Sequence, residues 1–411
     1  MARGAVAGCA LALACASCGR LGFDVVPCVG ASCDEGGSGG PLDSGLTAPV
    51  VLFQPDFTSS AANAGAPSVV RGGVSNVYSI GAYYDPTAAR VKFFVNDRDN
   101  NRVMIYEHVP TASGALPDHV IGQTAWTDGL ANAGQPAPDA RTLSDNVDVT
   151  VCATGEMFVA DASNNRVLAW RSVPATDDTP ADFVLGQPDF TSNAAGTSAT
   201  RMNRPYAAHC IEGQLFVPER ENHRILVYDP LPASGDAQPR FAIGQPDLVT
   251  GTPSCSPLGL TNPYEVLHHA GYFFIADGGN HRVLVFDDAL AAGPAMPIAV
   301  LGQRDFTSCQ PNRGAAAPDA TTLSFPNGLA ARGDTLFVSD HDNRRVLLYR
   351  LPVATGDAAY AVLGQPSFTT AAQQLPPDAT SLGYTKGLVV DGNYLWIGDG
   401  GNNRVIAMPL P

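Results

Sequence analysis

From residue 50 onward the apolar residues fall into short runs punctuated by Gly, Pro, Asn and Asp. One run repeats: a hydrophobic triplet, an acid, a two-residue gap, Asn, one residue, Arg, then an aliphatic pair. It occurs as FFVNDRDNNRVMIY, MFVADASNNRVLAW, LFVPERENHRILVY, FFIADGGNHRVLVF, LFVSDHDNRRVLLY and LWIGDGGNNRVIAM. Its acid–arginine positions are Asp97/Arg102, Asp161/Arg166, Glu219/Arg224, Asp277/Arg282, Asp340/Arg345 and Asp399/Arg404, so the period is 58 to 64 residues. A fixed period of this size marks an array of one supersecondary unit. A second repeat, out of phase with the first, carries Gln54, Gln123, Gln187, Gln245, Gln303 and Gln365 in segments such as VLGQPDF.

Each full unit therefore holds four short runs rich in Val, Ile, Phe and Tyr and bounded by turn residues, which read as strands. The first lies near positions 205–211 or 326–331, the second is the triplet, the third follows the arginine, and the fourth leads into the Gln segment. Asp277-Gly278-Gly279-Asn280 and Asp399-Gly400-Gly401-Asn402 look like turns in which glycine supplies positive φ. Triplets such as Phe93-Phe94-Val95 are apolar on both faces. That requires a sheet covered on both sides. The predicted fold is all-β: a six-bladed β-propeller of four-stranded antiparallel blades. The chain opens with an orphan fourth strand near Val50–Phe53 and stops after a third. The N-terminal strand is thus expected to complete the last blade and remove an exposed edge.

The acid, Asn and Arg of the repeat read as scaffold. An acid at a strand end can accept turn amides, Asn can cap the same turn, and Arg starts the next strand within reach of that acid. The runs at Asp97 and Asp340 lack the glycine and distal glutamate of a calcium loop.

The motif FVADxxNxRVLxY, with Pro326-Asn327-Gly328-Leu329-Ala330 and Lys386-Gly387-Leu388-Val389-Val390 as first strands, resembles the NHL-repeat β-propeller family over roughly residues 50–411. The interposed GQPDF segment is similar to a long-period variant found in exported bacterial proteins. The resemblance implies fold; its members include RNA-binding, protein-binding and enzymatic proteins, and fold does not imply function.

Residues 1–18 differ from the rest. Arg3 precedes a small apolar run too short to span a bilayer, which reads as a signal peptide. Cys18, after Ala16-Ser17 and before Gly19, is the expected lipid-attachment site; Cys15 is the rival, and plain secretion is the alternative. Residues 19–49 read as a flexible Gly/Ser-rich tether and 50–411 as the propeller. The expected location is the bacterial outer membrane or cell surface, held by lipid alone.

A formal charge of −15 and a pI near 4.8 argue against nucleic acid as a partner. Beyond the leader the cysteines are Cys28, Cys33, Cys152, Cys210, Cys255 and Cys309, an even number in an oxidising compartment. Neighbour pairing (Cys28 with Cys33, Cys152 with Cys210, Cys255 with Cys309) needs the least backbone movement. Free buried thiols are the alternative at Cys152 and Cys210.

His223, His281 and His341 lie in repeat turns and read as scaffold or surface. His209, His268 and His269 lie on predicted first strands, where propeller enzymes place ligands facing the channel. Amidating lyases resemble this architecture and hold zinc with three channel histidines. Here the first strands of four blades lack histidine, so that ligand set is not carried over. The unequal loops joining each fourth strand to the next blade should gather on one face, since loops on a rigid scaffold carry function. Asn76, Asn146, Tyr206, His209, Tyr264, Glu265, Asn327 and Lys386 lie at or just after them and form the candidate binding face. The expectation is a monomeric, non-enzymatic binding module that presents one loop face to a protein or glycan and carries no cofactor. The alternative is a hydrolase or lyase at the channel mouth, assisted by a divalent ion.

Overall fold

In the computed structural model, residues 44, 46 and 48–411 are described. The segment read as a signal peptide, most of that read as a tether, and Cys15, Cys18, Cys28 and Cys33 lie outside the described residues. Six four-stranded antiparallel sheets form the propeller. Blade one contains β2 (Val77–Asp85), β3 (Arg90–Asp97), β4 (Arg102–Tyr106) and β5 (His119–Ile121). Blade two contains β6 (Asn146–Val151), β7 (Met157–Asp161), β8 (Arg166–Trp170) and β9 (Phe183–Leu185). Blade three contains β10 (His209–Ile211), β11 (Gln214–Glu219), β12 (Arg224–Tyr228) and β13 (Phe241–Ile243). Blade four contains β14 (Pro263–His269), β15 (Tyr272–Asp277), β16 (Arg282–Asp287) and β17 (Ala299–Leu301). Blade five contains β18 (Pro326–Arg332), β19 (Thr335–Asp340), β20 (Arg345–Arg350) and β21 (Ala361–Leu363). Blade six contains β22 (Thr385–Asp391), β23 (Tyr394–Asp399), β24 (Arg404–Pro409) and, from the other end of the chain, β1 (Val50–Leu52). The apolar triplets are buried because their two faces enter the cores shared with the two neighbouring blades.

The repeat acids and arginines are all fully buried. In blade four Arg282 Nε donates to Asp277 Oδ2 at 2.8 Å. Its Nη1 reaches the Phe306 carbonyl of the Gln segment, and its Nη2 the carbonyls of Ser256 and Gly259 in the loop before the blade. Asp277 Oδ2 also accepts from Asn280, and Oδ1 from the Thr261 amide. The other blades repeat this arrangement, except that Arg224 Nη2 in blade three meets a single loop carbonyl, that of Ser198. Glu219, the one longer acid, keeps all three kinds of partner through Arg224, Asn222 and the Asn203 amide. The Gln segment is held by the same turn: Gln303 Nε2 donates to the His281 and Gln310 carbonyls, and Gln187 to those of Asn165 and Ala194. The two out-of-phase repeats are two halves of one hydrogen-bonded joint.

The turn itself corrects one expectation. Gly278, Gly279, Gly400 and Gly401 do not supply the positive φ; the residue before each arginine does, with His281 at φ 53° and Asn403 at φ 50°. Glycine is needed for space: a Cβ on Gly400 would lie 2.6 Å from the Val77 carbonyl oxygen. The left-handed residue then reaches the next blade. Asn101, Asn165 and Asn403 accept from the amides of Asp145, Arg204 and Asn76 through Oδ1. His223 and His281 accept from those of Asn262 and Phe325 through Nδ1. These two imidazoles are neutral acceptors, and burial pushes both below the ordinary histidine value.

Blade three departs from the expected first strand over 205–211. Pro205 makes only an isolated bridge to Glu219, and regular pairing begins at His209. The other five inner strands carry a register shift just after their first residue. In blade three the ladder breaks there.

Closure is by the N-terminal strand. Val50, Val51 and Leu52 pair with Ala407, Ile406 and Val405. Gln54 donates to the Asn403 carbonyl, and Arg404 to that of Phe57, so the chain ends share one repeat joint. The stretch read as tether also touches the ring at its end, where Ser44 donates twice to the Asp391 carboxylate. Disulfides join Cys152 to Cys210 and Cys255 to Cys309. Disulfides persist in oxidising compartments, in keeping with export.

Two outcomes follow. Arg282→Ala leaves Asp277 buried without its counter-charge, and the expected destabilisation is about 3–5 kcal/mol by denaturant titration. Deleting residues 1–57 removes four side chains at most 2% exposed, Val50 to Phe53. At about 1.5–3 kcal/mol each, the melting temperature should fall by roughly 10 °C or more. Deleting residues 1–43 should leave it unchanged, and equal melting of the two truncations would refute closure by β1.

Candidate functional site

Antiparallel order puts two different faces on the ring. The repeat turns, the loops between blades and the starts of the inner strands share the loop face. The hairpins joining the first and second strands share the other, hairpin face. A central channel lies between them, bounded by β2, β6, β10, β14, β18 and β22.

At the loop face the channel is plugged by a chain of aromatic rings in contact, contributed by blades one, three, four, five and six. Tyr78 meets Tyr206 at 5.9 Å between centroids, Tyr206 meets Tyr264 at 4.9 Å and Tyr264 meets Phe325 at 5.1 Å. Phe325 meets His341 at 5.9 Å, and His341 stacks on Tyr384 at 4.8 Å. Arginines lie over these rings: Arg98 on Tyr78, Arg220 on Tyr206 and Arg344 on Tyr384, at 4.7, 5.3 and 4.6 Å. Asp145 accepts from both Arg98 and Arg204, and the two guanidiniums hold its carboxyl below the usual range despite burial. Tyr384 is 42% exposed, and the four arginines are partly exposed.

Several residues expected at an open mouth lie inside this plug. Tyr206 and Tyr264 are 2% exposed, and Asn146 and Asn327 are fully buried. Asn146 Nδ2 donates to the Arg102 carbonyl, and Asn76 Nδ2 to Asp99. Lys386, also buried, is the unexpected centre: its Nζ donates to the Tyr206 carbonyl at 3.1 Å and lies 4.7 Å from the Tyr78 ring centroid. Burial lowers the Lys386 pKa from the ordinary amine value, while Asp148 and Glu265 pull the other way. The lysine is a buried cation closing the channel, and Tyr264 is part of the packed core.

Toward the hairpin face the channel opens as a cavity of about 580 Å³. His209 and Glu265 meet there, with Nε2 3.0 Å from Oε1. Burial disfavours the imidazolium, but the Glu265 carboxylate outweighs it and His209 titrates above its ordinary value. His268 instead lies 2.9 Å from Asp288 and 3.8 Å from Glu212, and His269 Nε2 is 2.8 Å from the Gly333 carbonyl. The three inner-strand histidines thus serve three different partners. Among the described residues, no group of three or more His, Cys, Asp or Glu side chains could hold a metal ion. No described helix is long and apolar enough to cross a membrane.

Sequence reasoning passed over Arg98, Arg220 and Arg344 and read His341 only as scaffold or surface, although a signal was present. Each occupies a varying position of the otherwise regular turn, directly after the acid or directly before the repeat arginine. Ser79 and Asp148 were missed because the register shift that places them in the channel is not visible in a strand pattern.

No protein-family model and no curated protein matches the sequence. Solved structures do resemble the fold. An auxiliary nutrient binding protein from Bacteroides ovatus ATCC 8483 aligns at 13% identity with TM-score 0.51, covering 87% of this chain and 75% of that one. A protein of the same description from Bacteroides thetaiotaomicron VPI-5482 aligns at 14% identity and TM-score 0.49, covering 87% and 75%. Virginiamycin B lyase from Staphylococcus aureus aligns at 11% identity and TM-score 0.44, covering 84% and 98%. At these identities the likeness is one of six-bladed propeller architecture.

The His209–Glu265 pair makes a pH prediction. A raised folded-state pKa contributes stability that is complete below about pH 6.5, the unfolded histidine value, and lost as pH rises through the folded one. Glu265→Gln should flatten that part of a melting-temperature profile, above about pH 6.5. An unchanged profile would show that the pair does not raise His209.

Proposed function

We propose that the protein is a non-enzymatic binding module of the bacterial cell envelope, a propeller of the NHL-repeat type that presents its loop face to a partner. The leader and the two disulfides support export, and lipid attachment at Cys18 is the anchoring this reading includes. The observation that carries it is the half-exposed set of Arg98, Arg204, Arg220, His341, Arg344 and Tyr384 around one end of the channel. Arginine and tyrosine dominate protein-interface hot spots because they combine large contact area with directed hydrogen bonds. Here they stand on a packed aromatic base, so little order need be gained on binding. The composition favours a protein partner over a glycan. The alternative of a metal-assisted hydrolase or lyase is less well supported, because His209, His268 and His269 are committed to separate partners.

The test is a comparative pull-down from envelope extract with wild type and an Arg220→Ala/Tyr384→Ala variant. The variant should melt within a few degrees of wild type, since exposed substitutions shift stability by about 0.5 kcal/mol, yet recover at least about tenfold less partner. Equal recovery would remove the loop face as the binding surface. Recovery of polysaccharide alone would assign the partner to the glycan class.

A further inference from the structure

The hairpin-face cavity carries a second site, independent of the loop-face reading. Four inner strands place equivalent residues at one level of the channel. Ser79, Asp148, Glu265 and Gly328 are each paired with the residue immediately before the repeat acid: Asn96, Ala160, Ala276 and Ser339. The blades differ in what they put there. A Cβ on Gly328 would lie 1.8 Å from the Lys386 carbonyl oxygen, and one on Gly387 2.3 Å from the Ile80 amide nitrogen, so blades five, six and one are in backbone contact. Blades two and four carry acids instead, and both line the cavity.

Two groups on this level have a side-chain oxygen without a hydrogen-bond partner. Asp148 is 5% exposed and Ser79 is 2% exposed. Asp148 Oδ2 and Ser79 Oγ are both buried atoms without a hydrogen bond, and both residues line the cavity. A buried carboxylate oxygen left unpaired costs more than an ordinary lost hydrogen bond. Neither nearby cation hydrogen-bonds it, although both feel its charge: Lys386 Nζ donates to the Val147 and Tyr206 carbonyls, and His209 Nε2 lies 3.0 Å from Glu265. The walls above are aliphatic, with Val149, Ile211 and Leu388 among them, and the cavity volume of about 580 Å³ is that of a small-molecule pocket. The charged and titratable lining sets Asp148, Glu212 and Glu265 against Arg332 and the histidines His209, His268 and His269. Arg332 donates to the Gly392 carbonyl.

We infer that the channel binds a small organic ammonium compound from the hairpin face, its N–H groups donating to Asp148 Oδ2 and Ser79 Oγ and its apolar body lying along the aliphatic walls. A charged donor is the partner a lone carboxylate oxygen binds most strongly. The acidic field of the chain raises the local concentration of cations. A carboxylate ligand would meet Asp148 and Glu265 directly.

Isothermal titration of the full chain with phenethylamine, 2-phenylethanol and 3-phenylpropanoate tests this. The amine should bind at least about tenfold more tightly than either shape-matched competitor. Asp148→Asn, nearly isosteric, should weaken the amine by about tenfold or more without lowering the melting temperature. Thr150→Trp, which narrows the cavity from a half-exposed wall position and removes no charge, should abolish binding of all three. Equal affinity for the alcohol, no amine binding, or unchanged amine affinity in Asp148→Asn would overturn the inference.

Discussion

Everything in this propeller depends on a buried charge pair that is acceptable only when nearly all of its hydrogen-bonding positions are filled. Taking a guanidinium and a carboxylate out of water costs several kcal/mol per ion, and their attraction offsets that cost only with near-complete satisfaction. The repeat meets this condition by drawing three segments to one point. The acid and Asn come from the turn, the carbonyls from the preceding loop, and a further carbonyl from the Gln segment. No segment can shift without stranding a charge. The joint therefore specifies geometry more than it adds stability, and the loops between blades become as fixed as the strands.

The same requirement accounts for closure. The sixth arginine finds its Gln-segment carbonyl only at Phe57, at the opposite end of the chain. Pairing of β1 with β24 aligns the strand, but the joint selects the register, since a slip would leave Arg404 short of an acceptor in a fully buried place. Histidine substitutes for asparagine at His223 and His281 for a related reason. Each neutral ring nitrogen accepts the amide that Asn Oδ1 accepts elsewhere.

A scaffold this rigid separates its two ends. At the loop face, Arg98, Arg220 and His341 take the variable position after the acid and Arg344 the left-handed position before its arginine, and they gather there on a base of packed rings. At the hairpin face, the inner strands leave a cavity whose polar groups are incompletely paired. Lys386 stands between the two ends, held by carbonyls and ring faces, and isolates the aromatic plug from the acids below.

The sequence by itself determined the periodic features. Six triplets, six acid–arginine pairs and six Gln segments specify strand number, blade number and the split last blade. Each of these is a local pattern repeated at a fixed interval, and a covered sheet leaves its mark on every residue. The pairing of Cys152 with Cys210 and Cys255 with Cys309, one of the readings the sequence left open, came from the structure. Only the tertiary structure decided what the non-repeating residues do. Tyr206, Tyr264 and Lys386 read as an exposed mouth, but they are buried because blades converge at the channel axis, a distance no single strand encodes. Gly278 and Gly400 read as bearers of positive φ, but they make room for the neighbouring blade, while the residue before the repeat arginine, His281 or Asn403, takes the left-handed turn. Asp148 and Ser79 face one cavity because a register shift in each inner strand aligns them. Contacts between blades roughly sixty residues apart, not the order of residues within one blade, set those positions.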